Sequence, residues 1–156
     1  MLGDAPMEKI FELGNLFALT GWAALLLALF APPVRKAALA WAGLVVPALF
    51  AVAYVALLAS ARDAHGGFNS IAQVRSLFQS DGALTAGWFH YLAFDLFVGT
   101  WIAREGIERI ASPVIRLVMI PVLGLTFMFG PAGFLLFTVL RPIFRRPAAA
   151  AAQPAA

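Results

Sequence analysis

The sequence predicts an all-α fold, an integral membrane four-helix bundle with a short interfacial amphipathic helix between the second and third helices. Three observations lead there. The 156 residues are 62% hydrophobic and only 12% charged, against roughly 25% charged in an ordinary soluble domain, so the chain has too little charge to solvate a globular surface. Its apolar residues gather in four windows, each reaching the ~20 residues needed to cross ~30 Å of hydrocarbon. The net charge of +3 comes from Arg and Lys that cluster towards the ends of those windows, where anionic headgroups lie. No basic patch is long enough for DNA, so nucleic acid is not an expected partner. With no Cys there is no disulfide framework, thiol nucleophile or thiolate-bound metal.

The first window, 11–30, reads as a span and not as a secretory signal, because Glu8 and Glu12 stand where a basic segment belongs and Leu29-Phe30-Ala31-Pro32 offers no small-x-small cleavage site. Pro32-Pro33 stops it and Arg35-Lys36 anchor the turn, so the second window, 37–59, returns as a tight hairpin. The link 60–83 holds Ser70, a good N-cap, followed by Ile71, Val74, Leu77 and Phe78 on one helical face; this predicts the interfacial helix, lying as a lid. The third window is 84–103. A charged link leads to the fourth, 114–140, opened by Pro113 and bent by Pro121 and Pro131. The four-span domain covers 1–146, and the Pro/Ala run 147–156 is expected to be a disordered tail. Four crossings put both termini on one side, where six basic residues face five on the other, with a lean towards cytoplasmic termini from the cluster Arg141 to Arg146.

An ionisable group at bilayer depth costs ~2.5 to 3.5 kcal/mol on insertion scales, and Asp95 sits near the middle of the third span. Tyr91 at i−4 offers a hydroxyl, and Gly99 at i+4 leaves a gap for another helix. His90 lies five residues earlier, about 140° around the helix, so the two share an interior only if the cavity is wide. Threading the chain up and down brings Asn15 and Tyr54 near the depth of His90. A polar pocket built from Glu12, Asn15, Tyr54, His90, Tyr91 and Asp95, opening towards link 60–83, is the resulting expectation. Glu105 and Glu108 are expected to pair with Arg104 and Arg109 in a solvated loop. His65 and His90 have no second ligand at i+3 or i+4, so no metal site is expected. Phosphate-binding loops, nucleophile elbows and HExxH motifs do not occur. The plainer reading of Asp95 is structural, a hydrogen bond to Tyr91 or Asn15 or to a broken backbone in helix four.

The run Gly87-Trp88-Phe89-His90-Tyr91-Leu92-Ala93-Phe94-Asp95-Leu96-Phe97, followed by Arg104-Glu105-Gly106 and by Gly130-Pro131-x-Gly133, resembles the abscisic-acid-deficient-four-like family. These are small four-span membrane proteins named for a plant protein required to form neoxanthin from violaxanthin. Gly14-Asn15-Leu16-Phe17 and Gly67-Phe68-Asn69-Ser70 look like bacterial members, so the implied setting is a bacterial inner membrane, where the plant substrate does not carry over. The resemblance marks Trp88, His90, Asp95, Glu105, Pro131 and Gly133 as site positions. It implies a cofactor-independent isomerase of an oxygenated carotenoid or other isoprenoid. Opening an epoxide into an allene needs one acid and one base, which Asp95, as a neutral proton donor, and His90 supply. Asn15, Tyr54, Trp88, Tyr91, Glu105, Pro131 and Gly133 would then bind substrate. The alternative is a non-catalytic carotenoid- or lipid-binding subunit, or a scaffold for a membrane protein partner.

Overall fold

The computed structural model describes residues 4–144, so the expected tail at 147–156 lies outside the described residues. The described chain is all-helical, and no strand occurs among these residues. Helix α1 runs Asp4–Phe30 and ends where Pro32 and Pro33 open a single 3-10 turn, Pro32–Val34. α2 (Arg35–Ala40) passes through a π-helical stretch, Trp41–Val45, into α3 (Val46–Ser60). The wider turn has a local cause. Pro47 has no N–H to give the Gly43 carbonyl, so the regular i to i−4 ladder cannot continue there. α1 and this second path pack back to back as expected, with Phe17 edge-on to both Trp41 and Phe50 at 5.9 and 5.7 Å between ring centroids.

A short helix is present in the 60–83 link as α4 (Ile71–Leu77), capped by the Ser70 hydroxyl, which accepts from the Gln73 amide at 3.2 Å. Its inward face is narrower than the pattern predicts. Val74 and Leu77 are half-buried while Ile71 is 80% exposed. α5 (Asp81–Arg109) is the central column, capped by Ser80 and packed against α1, α3, α6 and α7. Gly99 provides the expected gap, which α1 fills with Trp22 and Leu25.

Beyond α5 the chain departs from the four-span expectation. A 3-10 turn, Ile115–Val118, leads into α6 (Met119–Phe129), and α7 (Pro131–Leu140) follows a break at Gly130. The two are antiparallel, not one bent span. Met119 meets Gly106 near the C-terminal end of α5, the Met128 carbonyl meets Tyr91 and Gly130 meets Asp95 at mid-helix. The path then returns: Trp101 packs on Phe134 and Phe137, and Arg141 reaches Glu105. The described C-terminal end therefore lies beside the end of α5, where Arg109 donates to the Phe144 carbonyl, and not beside the start of α1. Gly130 makes this reversal. Its φ of +26° is open to glycine and strained for other residues, and Pro131 suits the first position of the new helix. Gly133 lets the pair close, since a Cβ there would strike the backbone of Thr126.

Two helices, Pro6–Phe30 and Pro32–Ser60, are long and apolar enough to cross a membrane. α5 is long but interrupted by polar residues, and the two arms of the hairpin hold 11 and 10 residues.

Candidate functional site

The residues singled out in the sequence fall into three places along α5. The first lies under α4. His90 points out from α5 between the rings of Tyr54 and Phe94, at centroid distances of 5.8 and 4.6 Å. A cavity of about 260 Å3 opens beside it, lined by Tyr54, Phe68, Leu77, Phe78, Gly87 and His90 among others. Helical order brings this about: α3 runs antiparallel to α5 and sets Tyr54 at the level of His90, while Leu77 and Phe78 close the outer side. The expected depth match of Tyr54 with His90 and the expected position of α4 are both seen here.

The second place is the tip of the α6–α7 hairpin. Asp95 is 9% exposed, and its carboxylate is cradled by Gly130, where any Cβ would collide with it. Tyr91, one turn away, donates its hydroxyl to the Met128 carbonyl at 3.3 Å and also lies in reach of the Asp95 carboxylate. The α6 carbonyls freed by the break need such donors. One carboxylate oxygen of Asp95, Oδ2, has no hydrogen-bond partner among the described residues. A hollow of about 250 Å3 adjoins it, walled by Phe94, Val98, Pro131 and Phe134. Trp88 continues the same stripe: its ring lies 5.1 Å from Tyr91, and its indole N–H donates to Asn15 on α1 at 2.8 Å.

The single pocket expected from Glu12, Asn15, Tyr54, His90, Tyr91 and Asp95 is thus not assembled. His90 and Asp95 open onto separate hollows, for the reason the helix sets: five residues turn the side chain by about 140°. Glu12 is exposed on α1.

The third place is the C-terminal end of α5. Glu105 is not in a solvated loop, because the helix continues to Arg109. Its Oε2 accepts from Arg109 and Arg141, both at 2.8 Å, and its side chain is 12% exposed. Burial acts to raise the Glu105 carboxyl, but the two arginines outweigh it and hold it below the usual carboxylate range. Arg141 also lies 5.4 Å over the Trp101 ring. This arrangement binds the returning arm of the hairpin to α5. Pro131 and Gly133 likewise serve the hairpin, one as the first residue of α7 and one as its close contact.

A model of the family described as ABA DEFICIENT 4-like matches residues 9–137. The chain belongs to the ABA4-like family. That match runs from within α1 into α7 and includes the first two places and Glu105 and Arg109 of the third, while Arg141 lies beyond it. Neither a curated protein nor a solved structure matches the chain. The role least legible in the sequence is that of Gly130 as the point of chain reversal. Its signal is the Gly130-Pro131 pair, a turn dipeptide that the sequence places in the family motif and in a bent span but not at a reversal. The role of Arg116 was not legible either. It donates to the carbonyls of Leu29, Ile110, Ala111 and Ile107 and so ties α1 to the end of α5.

Proposed function

We propose that this ABA4-like chain is an integral membrane protein that holds an oxygenated isoprenoid, carotenoid in kind, with its end ring in the cavity under α4. α1, the Pro32–Ser60 path and α5 cross the bilayer, and α6 with α7 forms a re-entrant hairpin. Arms of 11 and 10 residues reach ~15 Å, half of a ~30 Å core. Irregular backbone at that depth is tolerated when protein covers it, and Asp95 and Tyr91 supply the cover. Among the described residues, Lys9, Arg62 and Arg75 then lie on one side and Arg35, Lys36, Arg104, Arg109, Arg116 and Arg141 on the other. This favours the second side as cytoplasmic, in the inner membrane of a bacterium. Since the native chain has no Cys, single-cysteine labelling tests it: Lys36→Cys, Ser112→Cys and Ile143→Cys label from one side, Arg62→Cys from the other. Labelling of Ile143→Cys together with Arg62→Cys would restore a fourth crossing.

The observation that carries the ligand reading is the juxtaposition of Tyr54 and His90 in a cavity otherwise walled by aromatic and aliphatic side chains. It suits an apolar ring bearing a few oxygens, and a bilayer-soluble ligand reaches it sideways between helices. The activity is a cofactor-free isomerisation. A polyene C–H bond breaks and its proton passes to His90, while the electron pair left behind forms the new C=C bond of the allene as the epoxide C–O bond opens. The released oxygen takes the Tyr54 hydroxyl proton, and the proton on His90 then passes to the Tyr54 oxygen, restoring both groups. Asp95, facing the other side of α5, holds the hairpin. The second reading, a binding subunit without turnover, is favoured by how few polar groups the cavity offers.

The experiment is a comparison of pigment content and product profile in cells carrying wild type, His90→Ala, Tyr54→Phe or a deletion. Turnover predicts product lost in both variants with pigment retained in Tyr54→Phe; pure binding predicts pigment lost in His90→Ala with no product in any strain. An unchanged carotenoid profile on deletion, with colourless purified protein, refutes both.

A further inference from the structure

Where α1 passes into α2 and α5 ends, a hollow of about 370 Å3 is lined by Arg35, Lys36, Leu39, Arg104, Ile107 and Glu108. Three cations there face one carboxylate. The neighbouring charges are committed elsewhere: Glu105 to Arg109 and Arg141, and Arg116 to four backbone carbonyls. Arg35 is different. It gives Nε to the Ala28 carbonyl at 2.9 Å, yet its buried Nη2 has no hydrogen-bond partner among the described residues. It also lies within electrostatic reach of the like-charged Arg116.

Two guanidinium groups, Arg35 and Arg104, and the Lys36 ammonium on one hollow form a set that phosphate oxygens satisfy, since an arginine fork matches two acceptors at once. The position adds to this. Arg104 is fourteen residues past His90, about 21 Å along the helix, so the hollow lies at the far membrane face from the isoprenoid cavity. Leu39 and Ile107 give it an apolar side, which an acyl chain would use and a dissolved anion would not.

We propose that this hollow binds the headgroup of an anionic phospholipid, its phosphate held by Arg35, Lys36 and Arg104 and the start of one acyl chain lying on Leu39 and Ile107. The site rests on the membrane placement above and is independent of the isoprenoid reading. A bound lipid here would link the α1–α2 turn to the end of α5, two segments joined otherwise through Arg116.

The test is native mass spectrometry of the full chain in detergent, titrated with dioleoyl phosphatidylglycerol, dioleoyl phosphatidylcholine or inorganic phosphate. Wild type should retain phosphatidylglycerol in preference to phosphatidylcholine. The double variant Lys36→Gln/Arg104→Gln, changed only at exposed side chains, should lose about 30-fold in phosphatidylglycerol affinity, equivalent to ~1 kcal/mol for each charge. Arg62→Gln/Arg75→Gln, which removes as much charge from the opposite end, should keep it, and so should His90→Ala. Equal affinity in wild type and the Lys36/Arg104 variant, or an equal loss in the opposite-end control, overturns the site. Binding of inorganic phosphate as tight as that of the lipid overturns the lipid assignment and makes the ligand a free anion.

Discussion

His90 and Asp95 stand five residues apart on the same helix and do opposite things with their surroundings. His90 lies in the open between two rings, beside space. Asp95 is wedged against a glycine that can carry no side chain. The difference teaches that an ionisable residue inside an apolar helix signals a constraint, while the side of the helix it faces decides whether the constraint serves a ligand or the chain itself. Changes near Asp95 should act through folding, and changes near His90 through binding.

The largest effect should come from Gly130→Ala, which meets both a strained φ and the Asp95 carboxylate; a loss of about 3 kcal/mol or more follows from strain and overpacking together. Thermal unfolding in detergent measures it. In an Asp95→Ser background the same substitution should cost distinctly less, because the collision is relieved while the strain stays. Equal costs in the two backgrounds would show that the carboxylate does not press on the hairpin tip.

Next comes Glu105→Gln, with an expected loss of about 2 kcal/mol at neutral pH from charge-assisted hydrogen bonds to Arg109 and Arg141. Because the folded carboxyl is held below its unfolded value, the contribution is present in full above the ordinary carboxylate range. It fades as pH falls through the lower folded value. The stability gap between wild type and Glu105→Gln should therefore close on acidification. A gap that persists unchanged in acid would mean the side chain acts by shape and not by charge.

His90→Ala should change unfolding by under about 1 kcal/mol, as expected for an exposed position, while abolishing pigment retention. A large stability loss in this variant would erase the contrast with Asp95. The smallest effect should be that of Ile71→Ser on the exposed side of α4, silent in both assays; Leu77→Asp, by contrast, places a charge in the cavity wall and should release α4, seen as faster amide exchange across Ile71–Leu77.

The helical class, the hairpin of α1 with the Pro32–Ser60 path, the capped helix at Ser70 and the family itself were legible in the sequence. Each rests on local chemistry: apolar runs of sufficient length, prolines that end helices, a hydroxyl that caps one, a motif on a single helix. The reversal at Gly130 was not legible, because a window of 27 residues, 114–140, in which Arg116 is the one charged residue, satisfies the length requirement for one crossing as well as for two half-length arms. What selects between them is tertiary. Asp95 fills the space under Gly130, Thr126 accepts Gly133 at close range, and Glu105 captures Arg141 across 36 positions of sequence. The same cause separated His90 from Asp95. Composition placed both in an apolar interior, but the turn of the helix and the neighbours packed on each side gave one a cavity and the other a backbone.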